Sequence, residues 1–388
     1  MDNEQLPKGY KNTEVGVIPE DWEVKAIGKY TDVTSGGTPS TLIREYWDGP
    51  IRWMNSGELN LKIVYEVENR ITELGLNESA TKLVPKNCVL IGLAGQGKTR
   101  GTVAINKVEL CTNQSIAAIL PSDEVFYEYL YYNLDSRYFE LRGLSTGDGG
   151  RGGLNLTIIK NLLISLPPTK AEQTAIATAL SDADALINSL EKLIAKKRNI
   201  KQGAMQQLLK PKDGWEVKKL GEIAEIYQPQ TISQDVFVED GYLVYGANGV
   251  IGKFHLFNHE TWQTTITCRG STCGTVNRTI DKSWITGNAM VMNVDENRNI
   301  DKLFFYYILT KQDFSQCITG SGQPQIVRSP LFDFTISIPK SKEKQKEIAF
   351  ILSDMDAEIN ALETKLEKYK KVKLGMMQNL LTGKIRLV

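Results

Sequence analysis

The side chains best suited to chemistry sit on Gly-rich stretches that occur twice. Lys98, Thr99 and Arg100 close the run Gly92-Leu93-Ala94-Gly95-Gln96-Gly97, and Arg269, Ser271 and Thr272 occupy the matching stretch of the second half, Thr267 to Val276. Farther along each half, Arg151 and Asn155 follow Gly147-Asp148-Gly149-Gly150, while Gln323, Gln325 and Arg328 follow Gly320-Ser321-Gly322. Asn248, beside Gly249, completes the set. Arg, Gln and Asn can form paired hydrogen bonds with base edges, whereas Lys, Ser and Thr suit phosphate oxygens. Each residue alone is more readily a solvated loop side chain; recurrence at matching positions in both halves raises the case for binding of nucleic acid.

Catalytic readings fare worse. Gly92 to Thr99 fits a phosphate-binding loop letter for letter, yet such a loop needs a helix directly after it, and Arg100-Gly101-Thr102-Val103-Ala104-Ile105 is strand-like. The second half keeps the glycines and loses Gly-Lys-Thr, so a hairpin loop is expected and nucleotide hydrolysis is the alternative reading. Glu23-Val24-Lys25 and Glu216-Val217-Lys218 resemble the tail of a nuclease motif without its upstream aspartate. No Asn-Pro-Pro-aromatic, Gly-x-Ser-x-Gly or His-Glu-x-x-His string occurs. His255, His259, Cys268 and Cys273 lack the spacing of a zinc finger or ribbon, so no metal site is expected. The expectation is a non-catalytic chain with no cofactor of its own.

The totals are those of an ordinary soluble protein of two or three domains. Its 46 basic residues balance 46 acidic ones, which neither announces nor excludes nucleic acid, because local patches set a binding field. Five scattered cysteines read as reduced thiols. The polar opening Met1 to Gln5 and the lack of any membrane-length apolar run predict a cytoplasmic location.

Two long amphipathic segments must position the loops. Leu180-Ser181-Asp182-Ala183-Asp184-Ala185 returns as Leu352-Ser353-Asp354-Met355-Asp356-Ala357, an offset of 172 (352 − 180). Apolar residues Ile176, Leu180, Ala183, Ile187, Leu190 and Ile194, and Ile348, Leu352, Met355, Ile359, Leu362 and Leu366, alternate steps of four and three. That spacing predicts two coiled-coil helices, each about 60 Å long and each with the other as its obvious partner. Their remaining faces are charged, and Lys196, Lys197, Met205, Lys368, Met376 and Met377 are candidates for docking a partner.

The repeat reaches beyond the helices. Trp22-Glu23-Val24-Lys25 is echoed by Trp215-Glu216-Val217-Lys218, Tyr129 to Leu134 by Phe304 to Leu309, and Leu163-Ile164-Ser165-Leu166-Pro167 by Thr335-Ile336-Ser337-Ile338-Pro339. The offset drops from 193 (215 − 22) to 173 (274 − 101), so the first copy's extra residues lie between Trp22 and Gly101. The expected fold is α/β (α+β): two similar mixed α/β domains at 1–169 and 213–339, a central helix at 170–212 and a distal helix at 340–388.

Further strings carry a resemblance: Ile18-Pro19-Glu20-Asp21-Trp22, Ser35-Gly36-Gly37-Thr38-Pro39, Tyr46-Trp47-Asp48-Gly49, Trp53-Met54-Asn55-Ser56-Gly57-Glu58 and Val244-Tyr245-Gly246-Ala247-Asn248-Gly249. In this order, doubled around the helices, the whole chain resembles the specificity subunit of type I restriction-modification systems. Arg52 departs from the pattern, standing where a proline is common. The resemblance implies two target recognition domains, each reading half of a split, asymmetric double-stranded DNA sequence, related by a pseudo-twofold repeat and spaced by antiparallel helices. It also implies docking of two adenine methyltransferase subunits and of restriction/translocase subunits. S-adenosylmethionine, ATP and Mg would then sit on those partners.

Overall fold

A computed structural model describes residues 6–95, 97–144, 153–320 and 323–387. Two compact units emerge, one of residues 1–190 with 365–388 and one of residues 191–364.

In the first unit a five-stranded sheet has the order Val33–Ser35, Ile116–Ile119, Val89–Gly92, Val103–Asn106, Ile63–Val64. Val89–Gly92 and Ile116–Ile119 are buried at every position, so they are unbroken apolar runs rather than alternating ones. A second sheet, Asn69–Ile71, Trp47–Met54, Leu110–Thr112, Leu83–Val84, shares an apolar cluster with the first through Met54, Val84, Leu90, Leu110 and Ile116.

The second unit repeats the plan in shorter form. Its four-stranded sheet, Glu225–Tyr227, Ala289–Asn293, Thr264–Thr267, Val276–Arg278, matches the first four strands above in order. Gly249–Phe254, Tyr242–Gly246 and Trp284–Ile285 form its smaller sheet. The first unit's extra residues build the edge strand Ile63–Val64, the helix Glu73–Asn77 and the 3-10 turn Ser56–Leu61, which Asn55 and Glu58 close with a capping box.

In each unit the opening strand returns to the strand that precedes a long helix. Glu23–Ala26 pairs antiparallel with Leu163–Leu166, and Trp215–Lys219 with Thr335–Pro339. The aromatic segments are helices, Tyr127–Asp135 and Lys302–Thr310.

The long helices span Lys170–Leu208 and Lys342–Leu380, 39 residues each. Ile176, Leu180, Ile187, Leu190 and Ile194 of the central helix are buried, as are Ile348, Leu352, Ile359 and Leu366 of the distal one. Helices of this length owe their stability to such a packed stripe more than to local propensity. Each gives its N-terminal part to one unit and its C-terminal part to the other.

Within the first unit the Lys373 ammonium lies 2.6 Å from Asp184, whose other oxygen accepts from the Tyr132 hydroxyl at 3.0 Å, and the ammonium stands 5.5 Å from the Tyr132 ring centre. The second unit repeats this with Lys201, Asp356 and Tyr307: the hydroxyl donates to Asp356 at 2.7 Å, and the ammonium pairs with the carboxylate 5.6 Å from the ring centre. The lysines and the aspartates are each 172 apart (373 − 201, 356 − 184). In both units, therefore, the C-terminal part of one helix lies against the N-terminal part of the other.

The residues after the distal helix close the first unit. Arg386 chelates Asp21 at 3.0 Å through both terminal nitrogens, pairs with the fully buried Glu172, and lies 5.8 Å from the Trp22 ring centre. Gly383 accepts from the Tyr10 hydroxyl at 3.1 Å; a Cβ there would come within 2.5 Å of Pro19.

Candidate nucleic-acid interface

In the second unit, strand Thr264–Thr267 runs into a tight loop that returns as Val276–Arg278. Gly270 and Gly274 hold positive φ angles of 87° and 92°, which L side chains rarely adopt. The loop is closed by Gly274 N–H donating to Thr267 O at 2.9 Å and Cys273 N–H to Gly270 O at 3.0 Å. Against it lies the hairpin Ile318–Thr319/Gln325–Ile326: Arg269 bridges to Gln325, Gly270 N–H donates to Pro324 O at 3.2 Å, and Ile326 N–H to Cys268 O at 2.9 Å. The turn carrying Asn248 joins from the smaller sheet, where Asn248 accepts from the Thr272 hydroxyl. Six expected residues, Asn248, Arg269, Ser271, Thr272, Gln323 and Gln325, are thereby gathered on one exposed loop cluster. Arg328 is exposed too, but its Nε donates to Ile226 O at 2.7 Å and its guanidinium lies 5.6 Å from the Phe332 ring centre. One of its donors is already committed to the fold.

The first unit has the same connections. Leu93 N–H donates to Ser115 O at 2.7 Å and Leu154 N–H to Leu93 O at 2.9 Å, as Cys268 N–H does to Asn288 O and Ile326 N–H to Cys268 O. Lys98 is exposed and Thr99 half-buried. The Lys98 carbonyl accepts from Thr102 Oγ1 at 2.6 Å and from the Tyr138 hydroxyl at 3.1 Å, and the Gly97 carbonyl from Arg142 at 2.6 Å.

Three sequence expectations change here. Arg100 is only 9% exposed, because the loop turns inward before strand Val103–Asn106, so its guanidinium is not presented at the surface. Asn155 is the N-cap of helix Leu156–Asn161, its Oδ1 accepting from Ile158 N–H at 2.9 Å. Met205, Met376 and Met377 do not sit on free outer faces: Met205 packs against the second unit's core and the other two against the first's. Lys196 and Lys368 are exposed, and Lys197 reaches Glu358 at 2.6 Å. Arg151 lies outside the described residues.

The phosphate-loop alternative loses its geometry. Thr99 and Arg100 lead into strand Val103–Asn106, paired antiparallel with Val89–Gly92, so no helix N-terminus follows Lys98 to offer free amides. Glu23–Lys25 and Glu216–Lys218 lie within the paired opening strands. His259 is neutral and engaged: because Asn258 Nδ2 donates to Ile285 O, its Oδ1 must accept from His259 Nδ1 at 2.6 Å, leaving Nε2 to accept from the Tyr227 hydroxyl at 2.9 Å. Burial lowers the His259 pKa to about 4.

Other loops reach the same ends of the sheets. Thr38 donates to Gln114 at 2.6 Å, one residue before Ser115. Gln228 donates to Gly287 O at 2.9 Å, one residue before Asn288. These residues are far apart in sequence, and only the Gly36-Gly37-Thr38-Pro39 string hinted at the first of them.

The sequence matches the family described as the type I restriction modification DNA specificity domain, over residues 19–202 and again over 212–372. The chain belongs to that family. The MjaIX specificity subunit of Methanocaldococcus jannaschii is 32% identical over 266 residues, covering 61% of this chain and 59% of that protein, less than two thirds of either. The MjaVIII specificity subunit of the same organism is 26% identical over a 413-residue alignment, with 95% of this chain and 94% of that protein covered. A type I restriction-modification S subunit from M. genitalium shares the fold at a TM-score of 0.65 and 20% identity, covering 92% of this chain and 96% of that one. The doubled match falls on the doubled structure. This specificity chain has no helix, among the described residues, long and apolar enough to cross a membrane.

Proposed function

We propose that each unit reads one half of a bipartite, asymmetric double-stranded DNA target, and that the central and distal helices set the distance between the halves. The observation carrying this reading is the convergence, at one end of the main sheet of the second unit, of six exposed base- and phosphate-competent residues on hydrogen-bonded loops. The same strand-end connections hold Lys98 and Thr99 in the first unit. Helices of 39 residues are about 58 Å long, enough to span half-sites about 34 Å apart.

The chain itself is non-catalytic in this reading. Two adenine methyltransferase subunits dock on its exposed helical faces, around Lys196 and Lys368, and restriction/translocase subunits complete the larger assembly. S-adenosylmethionine, ATP and Mg belong to those partners, and the assembly works in the cytoplasm, on chromosomal DNA.

Selection from a random duplex library by the full chain with its methylating partner tests this. The expected result is two enriched blocks at constant spacing, with affinity falling steeply as salt rises because phosphate contacts release counterions. Selection of no sequence at all would leave a coiled-coil scaffold and refute the DNA reading.

A further inference from the structure

Leu42 is 94% exposed, the most of any large apolar side chain among the described residues. Isolated exposed leucines are common on protein surfaces and mean little by themselves. The loop that carries this one is unusual in being tied down on both sides. Upstream, Gly37 N–H donates to Thr112 O at 2.9 Å and Trp53 Nε1 to Gly37 O at 2.9 Å, while Pro39 is buried. A Cβ on Gly36 would fall 1.8 Å from Thr112 O, so the backbone approach there is one only glycine permits. Around the tip, Ile43 N–H and Trp47 Nε1 both donate to Ser40 O, at 3.3 and 3.1 Å, and Thr72 Oγ1 donates to Glu45 O at 2.7 Å. A slack loop would let the leucine fold back on the surface. This one holds it out.

Its position is the second observation. Thr38 is bonded to Gln114, and the next residue, Ser115, accepts from Leu93 at the root of the Lys98 loop. Leu42 therefore projects from the loop end of the first unit to which the DNA reading assigns base contacts. Its exposed neighbours Ser40, Thr41 and Arg44 carry the hydroxyl and guanidinium groups that suit phosphates; Glu45 is the one exposed acid among them.

We propose that Leu42 is an apolar base probe: on a bound duplex its side chain contacts nucleobases directly, with Ser40, Thr41 and Arg44 on the flanking backbone. Two contacts share that chemistry, packing on a thymine methyl in the major groove and partial insertion between stacked bases. The proposal rests on the DNA reading of the first unit.

The test uses the full chain with its methylating partner and compares wild type, Leu42→Ala and Leu42→Met. Leu42→Ala is expected to weaken cognate duplex about tenfold, leave random duplex unchanged and relax one position of one half-site, while Leu42→Met retains selectivity. Uracil for thymine at that position reproduces the loss for methyl packing; for insertion, 2-aminopurine there brightens with wild type and stays dark with Leu42→Ala. If Leu42→Ala keeps the wild-type motif and affinity, the inference is overturned, as it is by a loss showing neither signature, which would make Leu42 a loop-shape residue. Wild type selecting no sequence would instead bring down the DNA reading, and this inference with it.

Discussion

Asp184 and Asp356 each serve a lysine from the opposite helix and a tyrosine from their own unit's aromatic helix. Such a carboxylate fixes a helix crossing as apolar contacts alone cannot, since a slip of one turn would strand the charge. Asp356→Asn is expected to cost about 1–2 kcal/mol, the lower part of the range for charged hydrogen bonds because the site is partly exposed, and a cycle with Lys201→Met should show coupling near 1 kcal/mol in urea unfolding. His259 adds a pH dependence. Burial lowers its folded pKa to about 4 from an ordinary 6.5, so the unfolded chain takes up a proton first as pH falls. Its share of the second unit's stability is complete above pH 6.5 and disappears between 6.5 and 4. Melting temperature should fall as pH drops from 6.5 to 4, and His259→Asn should flatten that fall. The sequence showed the aspartates only as letters of a repeat. Their partners could not be read from it, nor could the buried pair Gln173 and Gln345, which tie Phe126 N–H and Asp301 N–H to the long helices at 2.7 and 2.8 Å. The same limit explains Arg100 and Asn155: a loop's residue types are visible in the sequence, but which of them turn inward or cap a helix depends on the backbone path.

At the scale of elements, the two long helices were legible because about five turns of a four-three apolar rhythm, repeated in both copies, outweigh any local ambiguity. The short strands were not. Val103–Asn106, in a strand-like stretch, joins the five-stranded sheet, whereas the nearby Leu110–Thr112 forms a parallel pair with Trp47–Met54, partners chosen by long-range packing. Helix register suggests a sharper test of the spacer role. Lengthening the central helix alone would pull Lys201 out of line with Asp356 or Lys373 out of line with Asp184. Matched heptads after Leu190 and after Thr364 should preserve both sets of pairs, so the chain is expected to fold, to keep both half-site sequences and to change only the gap between them, as read by library selection. Altered half-site sequences would show that the helices do more than space.

For the molecule as a whole, the doubled organisation was readable from the offsets, whereas the division of each helix between two units was not, because repeats in sequence do not say which copy packs on which. The Arg386 contacts belong to this scale. Ending the chain after Thr382 should leave the Glu172 carboxylate buried without its guanidinium, a loss near the low end of the about 3–5 kcal/mol typical of breaking a buried ion pair. Limited proteolysis should then open the first unit and leave residues 191–364 resistant. That dependence has a consequence for biosynthesis. The second unit is one unbroken stretch of chain, while the first waits for residues 365–388, so the domain that leaves the ribosome first is the last to be completed. A nascent chain stalled past residue 364 would carry a complete second unit and an unsealed first one, a state in which proteases could discard a half-made subunit before it met its partners.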